Sequence, residues 1–89
     1  MPRYIVKRTL PPLTDDQLTA IGHKVVETCE GIPGMQWIRS HLTADGRHSF
    51  CEFEAPHAGA CREHARLAGL PVDEVVSVGR QIGPEMFRR

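Results

Sequence analysis

The sequence predicts an α+β domain of element order β-α-β-β-α-β, the split βαβ arrangement of ferredoxin-like folds. Three observations carry this. Short β-branched and aromatic runs are bounded by Pro and Gly, and two helical stretches have clear start and stop signals. Between His48 and Ala55 the side chains alternate with period two, and the chain then turns directly into the second helix. The expected architecture is a sandwich: a four-stranded antiparallel sheet with two helices on one face, of the dimeric α/β barrel type. Residues 1–82 make the domain and residues 83–89 a C-terminal tail.

Each element has its own signal. Arg3 to Thr9, with Tyr4, Ile5 and Val6, is a strand, and Pro11-Pro12 ends it because neither proline donates to a ladder. Thr14 followed by Gln17 is a capping box, Asp15 and Asp16 complement the helix dipole, and Leu13 with Leu18 forms a hydrophobic staple. Leu18, Ile21, Val25 and Cys29 then make one apolar stripe, stopped by Gly31, Pro33 and Gly34. Met35 to Thr43 is the second strand, and a turn around Asp45-Gly46 leads into the third. Pro56 suits the first turn of a helix running from His57 to Ala68, and Ala68-Gly69-Leu70-Pro71 is its stop signal. Glu74 to Ile82 is the fourth strand, in which Gly79 suggests a bulge or a close backbone approach.

Two helices cover only one face of such a sheet. Ile5, Trp37, Ile38, Phe50 and Phe53 differ in parity, so some large apolar groups lie on the uncovered face. A homodimer packing sheet against sheet accounts for them. Which residues share that face depends on the hairpin. A two-residue turn pairs Arg39 with Glu52, Trp37 with Glu54 and His41 with Phe50. A three-residue turn pairs Trp37 with Phe53 and Arg39 with Cys51. The first sorts the side chains better and matches charges across the strands.

Composition narrows the function. The 89 residues hold 11 Lys and Arg against 11 Asp and Glu, so the net charge is zero, which speaks against a nucleic-acid partner. The RNA-recognition use of this fold also fails, because Phe50 and Phe53 lie on opposite faces with acids beside them. Three cysteines at irregular spacing suggest reduced thiols, no run approaches membrane-spanning length, and the cytoplasm is the expected location. A domain this small gains stability from oligomerisation.

Met-Pro-Arg-Tyr at the start, Pro33-Gly34 before Trp37, Cys51 through Pro56, Arg62-Glu63-His64-Ala65 and Ala68-Gly69-Leu70-Pro71 together resemble one family. These are short bacterial proteins of the nickel-binding-protein-like type, long filed as a domain of unknown function. The resemblance runs from Met1 to about Val78. It implies a ferredoxin-like fold, a homodimer, and nickel binding for sequestration or detoxification. It assigns no ligand residues.

Two constellations could carry chemistry. His57, Cys61 and His64 step by four and three residues along the second helix and share one stripe, and Glu54 or Glu63 could add an oxygen ligand. Imidazole and thiolate suit nickel, zinc or copper. Against this, Cys61 also belongs to the apolar stripe Ala58, Cys61, Ala65 and Ala68, where a cysteine is simply a small hydrophobe. His23, His41 and His48 are isolated, although a two-fold axis could bring two copies of one of them together.

The second constellation is Tyr4, Trp37, Arg39, His41, Cys51 and Glu52, which could line a small-molecule pocket between sheet and partner. It would support a catalytic barrel of monooxygenase, dehydratase or isomerase type. The plainer reading makes Arg39–Glu52 an ion pair and Trp37 interface core. The preferred reading is a nickel-binding homodimer without turnover, and the alternative is the small-molecule barrel. A third has the tail and the open sheet face recruit another protein.

Overall fold

The computed structural model describes residues 2–88. The strands are β1 (Arg3–Thr9), β2 (Gln36–Leu42), β3 (His48–Glu54) and β4 (Glu74–Val78), and the helices are α1 (Asp15–Glu30) and α2 (Ala58–Ala68). The strands form one antiparallel sheet in the order β2-β3-β1-β4, the ferredoxin-like α+β arrangement.

Local signals place the helices. Thr14 Oγ1 accepts from the Gln17 N–H at 3.1 Å, and Gln17 Oε1 accepts from the Thr14 N–H at 2.9 Å, so the capping box forms in full. Val25 and Cys29 of α1 are buried, as are Ala60, Cys61, His64 and Ala65 of α2. Val25, Cys29, Ala60 and Cys61 pack with Tyr4, Val6, Cys51, Phe53 and Ala55, the inward row of the two central strands.

Gly69 ends α2 at φ 69°, and Leu70 N–H donates to the Ala65 carbonyl at 2.9 Å, a Schellman stop. A Cβ on Gly69 meets nothing within 4 Å, so only the backbone conformation resists it. Gly69→Ala is expected to cost about 1 kcal/mol, seen as a lowered urea midpoint at unchanged m-value.

Three expectations need correction. Pro56 precedes α2 rather than entering its first turn, and His57 is the N-cap, in extended conformation. β4 ends at Val78, which pairs with Arg3 at the start of β1; beyond it that strand offers no further partner, so Gly79 lies outside the ladder. The third concerns the hairpin. Arg39 faces Glu52 and His41 faces Phe50, the pairings of the two-residue turn, yet Trp37 faces Phe53, a pairing of the three-residue turn. A bulge between Trp37 and Arg39 changes the frame by one residue, so each register holds on one side of it. The turn itself spans Thr43 to Gly46, closed by Gly46 N–H to the Thr43 carbonyl at 2.8 Å, with Gly46 at φ 71°.

The bulge has a consequence for the uncovered face. Trp37 lies on the helix side with Phe53, so the open face lacks the tryptophan that the two-residue register would place there. Across β2, β3, β1 and β4 its rows read His41, Phe50, Lys7, Glu74, then Arg39, Glu52, Ile5, Val76. Arg3 lies in the next row, and its guanidinium pairs with Glu52 at 3.0 Å and with Glu54 at 3.5 Å. Arg39 approaches Glu52 at 3.7 Å and Lys7 reaches Glu74 at 3.2 Å. Phe50, Ile5 and Val76 remain as the apolar centre of a charged surface.

Candidate functional sites

On α2 the proposed metal ligands fall into unlike environments. His57 Nδ1 accepts the Ala60 N–H at 3.1 Å. A neutral imidazole has one lone-pair nitrogen, so this cap places the proton on Nε2. Binding a metal through Nε2 would require the other tautomer and would uncap the helix. The cap is worth about 0.5–2 kcal/mol. The positive end of the α2 dipole further disfavours a cation there.

Cys61 and His64 are fully buried. His64 Nε2 lies 3.0 Å from the Val25 carbonyl, which can only accept, so Nε2 carries the proton. Its Nδ1 is the one buried side-chain N or O without a hydrogen-bond partner among the described residues. The ring leans on Phe53 with centroids 5.0 Å apart and planes 54° apart. Burial lowers the His64 pKa and raises that of the Cys61 thiol, and Arg8 is close enough to bias both. The helix core therefore keeps a neutral imidazole and a protonated thiol, neither presented to solvent.

Glu54 is held by Arg3, and Glu63 accepts from Arg66 Nε at 3.0 Å on the same helix. Among the described residues no group of three His, Cys, Asp or Glu is placed to hold a metal ion. His57, Cys61, His64 and Glu54 are thus not a preformed centre within one chain.

The sheet also divides the second constellation. Tyr4, Trp37 and Cys51 face the helices, while Arg39, His41 and Glu52 lie on the open side. Of the helix-side members, Trp37 and Cys51 border a cavity of about 290 Å³ between α1 and the sheet. Leu18, Ile21 and Val25 of α1, with Leu10, Leu13 and Leu70 from the loops, make it apolar. Trp37 Nε1 donates to Ser40 Oγ at 2.9 Å within its wall. Arg8 and Ser49, cross-strand neighbours, line it too and are only 3% and 4% exposed.

The sequence reading passed over Arg8 and Ser49. The signal for Arg8 was present: it has the parity of Tyr4 and Val6, the inward row of β1.

With this geometry in place, the model of the nickel responsive protein SCO4226-like family matches residues 4–78. The chain belongs to that family. The crystal structure of SCO4226 from Streptomyces coelicolor A3(2) superposes with a TM-score of 0.79 at 17% sequence identity. The match covers 90% of this chain and 99% of that one, so the two share a fold. No curated protein matches the sequence. The family is named for a response to nickel, which supports a metal-related role for this SCO4226-like chain. No helix among the described residues is long and apolar enough to cross a membrane.

Proposed function

We propose that this SCO4226-like protein is a cytoplasmic homodimer that binds nickel without turnover and serves to sequester or detoxify the ion. The family match over residues 4–78 carries the reading. Three free cysteines, all buried, agree with a reducing compartment.

The distribution of side chains favours ligands drawn from two copies. Cys61 and His64 are enclosed and His57 is committed to its cap, so the α2 set with Glu54 would bind only after rearranging. His41 is exposed on the open sheet face, beside Phe50. An isologous pairing of that face duplicates it, and imidazole is a suitable ligand for Ni²⁺.

Calorimetric titration with Ni²⁺ tests this. The native protein is expected to bind, His41→Ala to weaken binding at least about tenfold, the loss of one coordinating imidazole, and His57→Ala to leave it unchanged. Loss of binding in His57→Ala/His64→Ala with His41→Ala intact would move the site to α2. Absence of Ni²⁺ binding by the native protein would overturn the function itself. A stable monomer at micromolar concentration in sedimentation would remove the shared site.

A further inference from the structure

The charge left over in the helix-side cavity points elsewhere than to a cation. Arg8 is 3% exposed and donates from Nη1 to the Pro71 carbonyl at 2.8 Å, a neutral partner. It makes no ion pair with any described residue. A guanidinium cannot shed its proton in a protein, and burying it without a counter-charge is costly.

The cavity beside it supplies the other half of the argument. Its lining contains no Asp or Glu. Its polar side chains are mainly donors: Arg8, the Ser49 hydroxyl across the strand pair, and Ser40, whose oxygen already accepts from Trp37. The remaining wall is largely aliphatic, and its two most open side chains are Leu18 at 40% and Leu42 at 43% exposure. A cation-and-hydroxyl cluster beside an apolar wall matches an anionic head on an apolar body. At about 290 Å³ the space suits a small ligand.

We propose that the cavity between α1 and the sheet binds an amphiphilic monocarboxylate, its carboxylate on Arg8 and Ser49 and its hydrocarbon body along α1. Arg presents a planar fork that fits a carboxylate with two parallel hydrogen bonds. The apolar body displaces water from the aliphatic wall, which supplies the non-directional part of the affinity. Nickel plays no part, so this proposal stands or falls apart from the metal reading.

The test uses octanoate, 1-octanol and octylammonium, titrated into the full chain in buffer containing a chelator. Octanoate is expected to bind and raise the Tm. 1-Octanol should bind at least about tenfold more weakly, as expected for loss of a charge-assisted hydrogen bond, and octylammonium should not bind. Equal binding of octanoate and octanol would overturn the proposal, since the cavity would then be only an apolar space.

Two variants locate the site. Arg8→Met should lower octanoate affinity at least about tenfold while leaving octanol binding as it was. Gly22 of α1 lines the cavity, and a Cβ there meets nothing within 4 Å. Gly22→Leu should therefore fold, fill the space and abolish octanoate binding. Unchanged octanoate affinity in folded Gly22→Leu would place the ligand elsewhere and overturn the assignment.

Discussion

Phe53→Ala is expected to cost about 3–5 kcal/mol, enough to leave the domain largely unfolded at 37 °C. Phe53 is fully buried and is the largest such side chain among the described residues. It sits on a central strand, with Trp37 opposite on one side and Tyr4 on the other. The His64 ring covers it from α2. Truncation removes the support between both strands and the helix, and backbone held in ladders cannot collapse into the space. Domains of this kind hold on the order of 5–15 kcal/mol in total.

Urea unfolding followed by Trp37 fluorescence measures the loss, and a shift below about 1 kcal/mol would contradict the packing described. Phe50→Ala is the informative comparison. Phe50 is 38% exposed on the open face. Its truncation should cost under about 1 kcal/mol in a lone protomer. If the open face is an interface, the cost should grow and depend on protein concentration.

The second large effect is a pH dependence carried by His64. Desolvation by burial lowers its pKa below the ordinary 6.5, the Val25 hydrogen bond opposes this, and the neighbouring Arg8 charge lowers it further. In the unfolded chain the imidazole takes a proton near that ordinary value. Between there and the lower folded value the unfolded state binds more protons, so stability rises with pH.

The His64 contribution is complete above the unfolded pKa and is lost as pH falls toward the folded one. The slope from this group reaches at most about 1.4 kcal/mol per pH unit. His64→Gln keeps an N–H for the Val25 carbonyl and cannot take up the charge. The difference between native and His64→Gln unfolding free energies, measured from pH 7.5 to 4.5, should shrink as the native protein loses stability. Parallel pH profiles for the two proteins would show that His64 titrates alike folded and unfolded.

Much of the fold is legible along the chain because its signals are local. The Thr14–Gln17 box, the Leu18-to-Cys29 stripe and the Ala68-Gly69-Leu70-Pro71 stop each need only a few neighbouring residues. The alternation from His48 to Ala55 likewise reads correctly, with Ser49, Cys51, Phe53 and Ala55 all buried. The sites were less legible. Helical spacing put His57, Cys61 and His64 on one stripe without telling a capping imidazole from an enclosed one.

By itself, then, the sequence determined the order of elements, the start of α1, the stop of α2 and the SCO4226-like membership, since each depends on short-range chemistry or on pattern. Tertiary structure decided the side of the sheet that Trp37 occupies, because one extra residue in β2 reverses parity without altering composition. It also decided that Arg8 lies buried with no acid beside it. A strand pattern reports which way a side chain points, but its counter-charge must arrive through space from a distant part of the chain, and here none of the described residues brings one.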